Sequence, residues 1–192
     1  MKNILIILLC FFTIACQKTE ETQLEEELDE MSVFQLPAQW ETQKGENIAL
    51  ADLKGNVLVS VMIYTSCKMA CPRLVSDMKN IEKEIGQKTK VPVKYLIVSI
   101  DPETDTPERL TSFAKENNMT GDQWVFVRGS EENTREFANV LAVKYASISP
   151  VDFSHSNIIS VFDKNGVMQH QMEGLAVNNE ETIKAIRKYA SL

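Results

Sequence analysis

The chain has 192 residues, 44% of them hydrophobic and 24% charged, with a formal net charge of −7. That length is enough for one domain with a sizeable core. Nothing in this acidic balance suggests a nucleic-acid partner.

The N-terminus reads Met1-Lys2-Asn3, then an apolar run over 4–14, then Ala15-Cys16. A positive start, a short apolar stretch and a small residue before the break are the parts of a secretory signal. The run is shorter than the ~20 residues a helix needs to span a bilayer. Thr13-Ile14-Ala15-Cys16 resembles a bacterial lipobox, with Thr13 in place of the usual Leu. Residues 1–15 are therefore expected to be removed, Cys10 with them, and Cys16 to be acylated as the first mature residue. From 18 to 30 the chain carries seven acidic residues against one basic residue. Such a run repels itself and stays solvated, so 16–31 reads as a flexible tether and 32–192 as the folded domain. Cys67 and Cys71 are then the free sulfurs, and in an oxidising compartment a close pair is a reversible disulfide or a metal clamp.

Lys44-Gly45-Glu46 and Leu53-Lys54-Gly55 punctuate an N-terminal extension that predicts a small hairpin laid on the core. Residues 57–64 form a β-branched apolar run, as does 93–100, each the pattern of a strand buried on both faces. Between them Leu74, Val75, Met78, Ile81 and Ile85 recur at helical spacing over 72–85. The unit β-α-β implies parallel strands with a crossover helix. Thr106 suits the cap and Pro107 the first position of a helix reaching about Asn117. A short strand over 124–127, a helix over 131–141, a hairpin of 158–163 with 167–172 and a helix over 180–189 complete the chain. Lys164-Asn165-Gly166 is the hairpin signal, because Asn-Gly tolerates positive φ at both turn positions. The fold class is α/β, a thioredoxin-like fold with a central mixed sheet flanked by helices and an N-terminal hairpin.

Tyr64-Thr65-Ser66-Cys67-Lys68-Met69-Ala70-Cys71-Pro72 joins the first buried strand to its helix. Pro72 favours Cys71 as the helix cap and Cys67 in the loop before it. A helix N-terminus stabilises thiolate, which is both nucleophile and metal ligand, so the spacing leaves redox and metal chemistry open. His155 immediately precedes the strand that starts at Ile158. If that strand runs antiparallel to 57–64, its start lies beside the cysteines. Two thiolates and an imidazole are soft donors that suit copper, sulfur favouring Cu(I) and nitrogen allowing Cu(II). Structural zinc normally takes four protein ligands, and His170, at the far end of the hairpin, reads as a surface residue.

Three motifs in this order resemble the Sco/SenC family of copper-binding thioredoxin-like proteins, which assist assembly of the binuclear copper centre of cytochrome c oxidase. They are Tyr64-Thr65-x-Cys67-x3-Cys71-Pro72, the run Val98-Ser99-Ile100-Asp101-Pro102-Glu103-Thr104-Asp105-Thr106-Pro107, and His155-Ser156. The resemblance implies that Cys67, Cys71 and His155 ligate copper and that Asp101 is an acid near the metal. Asp105 to Glu108 reads as a helix start. Ser66 and Lys68-Met69-Ala70 depart from the family's common loop residues, and Met69 offers a thioether there.

Two functions follow. One is a metallochaperone passing copper to an accepting subunit of a respiratory oxidase. The other is a thiol-disulfide oxidoreductase in which Cys67 and Cys71 are the redox pair that reduces the acceptor's cysteines. A peroxidase is disfavoured because its Thr-x-x-Cys spacing is missing: Tyr64 stands three places before Cys67. The expected location is an exported, lipid-anchored protein facing the periplasm.

Overall fold

The structure is a computed structural model that describes residues 30–67, 70–149, 152–175 and 178–191. Cys16, the signal segment, nearly all of the acidic tether, Lys68 and Met69 lie outside them. In chain order the strands are β1 (Gln39–Thr42), β2 (Asn47–Ala49), β3 (Val57–Ile63), β4 (Val93–Ser99), β5 (Trp124–Arg128), β6 (Tyr145–Ser149), β7 (Asp152–His155), β8 (Ile158–Phe162) and β9 (Met168–Glu173). The helices are α1 (Ala70–Ile85), α2 (Pro107–Glu116), α3 (Glu131–Val140) and α4 (Glu180–Tyr189).

Seven strands form one mixed sheet in the order β2-β1-β5-β4-β3-β8-β9, and β6 with β7 form a separate ribbon. β3 is buried at all seven positions, which is why its sequence is a continuous apolar run and not an alternating one. It pairs in parallel with β4 from Val57↔Val93 to Ile63↔Ser99, and antiparallel with β8. The crossover helix α1 turns Leu74, Val75, Met78, Ile81 and Ile85 onto this sheet, all buried. This is the thioredoxin-like architecture expected from the β-α-β unit, the closing hairpin and the last helix.

Thr106 caps α2 by accepting the Arg109 N–H, and Pro107 fills the first helical position, where a missing N–H costs nothing. The N-terminal hairpin forms, but it extends the sheet and does not lie on the core: β1 pairs antiparallel with β5 at Glu41↔Arg128. Burial of Trp40 against Phe137, with ring centroids 5.6 Å apart, accounts for this edge position. In the turn between β8 and β9 only Gly166 has positive φ, at 80°. The Asp163 carboxylate accepts the N–H groups of Asn165 and Val167, which holds Asn165 in an ordinary conformation. His170 is not a free surface residue: it is half-buried, with Nε2 3.0 Å from the hydroxyl of the buried Thr182 on α4.

Two consequences position the site. Parallel β3 and antiparallel β8 bring the end of β3 and the start of β8 to one pole of the sheet. The described chain enters at the other pole, where Ser32 bridges Val167 and the Val33 N–H donates to the Gly166 carbonyl at 3.0 Å.

Candidate metal centre

β3 delivers the buried Tyr64 to a tight turn in which the Cys67 N–H donates to the Tyr64 carbonyl at 3.2 Å. Cys71 then lies inside the first turn of α1 and is not its cap, because the helix already begins at Ala70. Pro72 is tolerated there since first-turn amides have no partner within the helix. The Cys71 N–H donates to Cys67 Sγ at 3.3 Å, and Cys71 is fully buried while Cys67 is half-buried.

His155 ends β7, on a ribbon absent from the sequence expectations, and its Nε2 stands 3.7 Å from Cys71 Sγ. Its Nδ1 lies 3.1 Å from the Ser156 carbonyl, which can only accept. Nδ1 therefore carries the proton and Nε2 keeps its lone pair facing the sulfurs. Burial lowers the His155 pKa, partly offset by the Ser156 carbonyl, and the neutral ring is the form that ligates a metal.

The ligand atoms of Cys67, Cys71 and His155 all lie within 4.8 Å of one another. Trigonal bonds of ~2.3 Å to sulfur and ~2.0 Å to nitrogen, the lengths typical of a d¹⁰ ion such as zinc, would put the S and N donors ~3.7 Å apart. The observed Cys71 to His155 separation matches that spacing, so the donor set fits one soft ion in type and distance.

One sequence expectation is corrected. The Cys71 thiol is not acidic on balance: burial pushes it well above the ordinary thiol range, a backbone hydrogen bond with Tyr64 pulls it part of the way back, and the neighbouring Cys67 and Asp105 add to the rise. A thiol sealed in apolar packing loses more from desolvation of its thiolate than the helix dipole returns.

The scaffold comes from two sides. The Tyr64 hydroxyl donates to the Asp152 carboxylate and accepts the Phe153 N–H at 3.3 Å. Its ring meets Phe153 and His155 edge-on at centroid distances of 5.2 and 5.9 Å. Burial first, then Asp152, raises the Tyr64 pKa, so the phenol stays a donor. On the other side Asp105, fully buried, grips Thr65 inside the turn. In sequence Asp105 reads only as part of a helix start, and nothing in its local pattern reports its burial. Asp101 is not in the ligand group. Its carboxylate accepts the Thr104 N–H at 3.4 Å, and it lines a cleft of about 480 Å³ with Arg128, Tyr145 and Phe153.

Comparison with known proteins gives this geometry its setting. The SCO1/SenC family model matches residues 23–191. The chain belongs to the SCO1/SenC family. It is 33% identical to the SCO1 protein homolog of Bacillus subtilis over 103 residues, 53% of each chain. It thus spans about half the length of that relative. A SCO1/SenC family lipoprotein of Bacillus anthracis superposes with a TM-score of 0.73 at 24% identity, over 85% of this chain and 99% of that one. The copper-bound ScoI of Arabidopsis thaliana superposes with a TM-score of 0.69 at 19% identity, over 79% and 97%. Both share the thioredoxin-like fold with this SCO1/SenC chain.

Proposed function

We propose that this protein holds one copper ion between the sulfurs of Cys67 and Cys71 and Nε2 of His155, and passes it to a copper-accepting subunit of a respiratory oxidase. The destination is the binuclear copper centre of cytochrome c oxidase, in keeping with the role of Sco/SenC proteins. The observation that carries the reading is the donor trio, three soft or borderline atoms within 4.8 Å with no fourth His, Cys or carboxylate in the group among the described residues. Three ligands suit Cu(I) and leave a face for an incoming sulfur. Copper uptake releases the thiol protons, so the protonated Cys71 sets a cost that metal binding offsets.

The test is an anaerobic Cu(I) titration of the reduced chain against a colorimetric Cu(I) chelator, followed by mixing with a reduced apo acceptor domain. One equivalent should be retained and then transferred. If the wild-type chain never competes with the chelator, copper delivery is the wrong reading.

A second reading has its own observation: Cys67 is the more accessible sulfur and accepts the Cys71 N–H. Attack of the Cys67 thiolate on an acceptor disulfide would form a mixed disulfide, and Cys71 would then displace the acceptor's thiol. The acceptor gains two electrons and the pair closes as a disulfide. Capture of the acceptor by the Cys71→Ala chain, in the absence of copper binding, would select this role.

The anchor is likewise a proposal: residues 1–15 removed, Cys16 acylated, 16–31 a tether, and the domain facing the periplasm. It is supported by the lipobox and by the entry of the chain at the pole opposite the cysteines, which would turn the site away from the membrane. Cys16→Ala should release the protein from the membrane fraction. Retention in that fraction would rule out the acyl anchor.

A further inference from the structure

Behind the sulfur pair lies a carboxylate that copper binding, as described, does not use. Asp105 directly precedes the cap of α2 and is fully buried. Every group that meets it is a donor. The Thr65 N–H points between its oxygens at 3.2 and 3.3 Å, the Thr65 hydroxyl donates at 2.5 Å and the Ser99 hydroxyl at 2.6 Å.

The protons can be traced. Arg109 Nε–H donates to the Thr65 hydroxyl oxygen at 3.0 Å, and the Asp101 N–H donates to the Ser99 hydroxyl oxygen at 3.0 Å. Each hydroxyl is thereby engaged as an acceptor, and the proton it carries has Asp105 as its acceptor. Asp105 is an ionised carboxylate whose desolvation is offset by donors on both oxygens. Burial raises its pKa, and the bonds from Ser99 and Thr65 pull it back.

This carboxylate acts on the site in two ways. Together with Arg109, which also donates to the Thr65 carbonyl at 3.4 Å, it holds Thr65 by amide, hydroxyl and carbonyl. Thr65 is the residue after Tyr64, whose carbonyl fixes the Cys67 N–H. The charge also stands close to the sulfurs, since the residue it grips by amide and hydroxyl lies two positions before Cys67.

We propose that Asp105 is the positioning residue of the sulfur pair and its electrostatic bias: it fixes the Tyr64 to Cys67 turn through Thr65 and places a buried negative charge that favours Cu(II) over Cu(I). The inference rests on copper binding at Cys67, Cys71 and His155. Two thiolates and a neutral imidazole around Cu(I) carry a net negative charge, and around Cu(II) they carry none. A nearby buried anion penalises the first state and not the second. Arg109, half-exposed and donating to the Thr65 hydroxyl and carbonyl, counters the bias through solvent that screens it.

The experiment is a redox titration of the copper-loaded full chain in detergent, comparing wild type, Asp105→Asn and Arg109→Gln. Asp105→Asn should shift the Cu(II)-to-Cu(I) binding ratio about tenfold toward Cu(I), a rise of about 59 mV in midpoint potential for one electron. Arg109→Gln should shift the ratio the other way, by roughly threefold because the lost charge is half-exposed and better screened. A residue with only a structural role would weaken both ions alike, and an unchanged potential with reduced affinity would overturn the proposal. Should Asp105→Asn fail to fold, Arg109→Gln decides: a fall in potential supports the charge bias, and an unchanged or raised potential overturns it. Wild-type chain that takes up no copper would overturn the copper reading itself and this role with it, an outcome distinct from copper uptake at unaltered potential.

Discussion

Replacing His155 with alanine is expected to weaken Cu(I) binding by at least ~100-fold, beyond the 10- to 100-fold typical for losing an outer-shell partner of a metal ligand. The reason is geometric. His155 supplies the only nitrogen in the donor group, at 3.7 Å from Cys71 Sγ, with its lone pair fixed by the Nδ1 bond to Ser156. Without it two sulfurs remain, a pair that still attracts Cu(I) but gives up the third direction of the site. Cu(II), which depends more on nitrogen donors, should be lost more completely. Chelator competition on the reduced variant measures the first effect, and the ligand-field spectrum after copper(II) addition measures the second. The substitution also removes the edge contact with Tyr64, so a thermal melt must accompany it. A folded His155→Ala chain that competes for Cu(I) as strongly as wild type would remove the histidine from the site and leave the cysteine pair alone.

That site was largely legible in the sequence because its parts obey strong rules. β3 and β4 are uninterrupted apolar runs, so a buried parallel pair with a crossover helix was forced, and the turn holding Cys67 had to lie at the carboxyl end of β3. The antiparallel pairing of β8 with β3, a condition that the sequence left open, brings His155 to that pole. What failed to show were features decided by packing. The ribbon β6–β7 has no fully buried residue, only exposed and half-buried ones, so its sequence carries no apolar run to mark it. Asp105 looks like any acid at the start of a helix. Its burial depends on Ser99 and Thr65, 6 and 40 residues away in the chain, which no local pattern reports. The Cys71 thiol was expected to be acidic because the helix end is visible in sequence, whereas the desolvation that outweighs it is a property of the whole fold.

The ribbon also determines the second large effect. A two-stranded antiparallel ribbon is marginal by itself, so whatever fastens β7 to the sheet also sets where His155 points. Tyr64 is the fastening that joins both halves of the site. Its carbonyl holds the Cys67 N–H, while its hydroxyl donates to Asp152 and accepts from the Phe153 N–H on β7. Tyr64→Phe keeps the ring against Phe153 and His155 and deletes the hydroxyl alone. A hydrogen bond to a charged partner contributes ~1.5–3 kcal/mol, and the Phe153 N–H is left with the Asp152 carboxylate, at 3.0 Å, as its acceptor. Copper affinity should fall by roughly 10- to 100-fold, the cost of an outer-shell partner, while the sulfurs and the imidazole remain in the chain. Asp152→Asn, which retains an acceptor oxygen for the phenol, should recover most of the wild-type affinity. If Tyr64→Phe binds copper as wild type does and melts at the same temperature, the ribbon is held by other contacts. The stacking of Arg135 on Tyr145, at 5.0 Å from the ring centroid, would then be the contact to remove next.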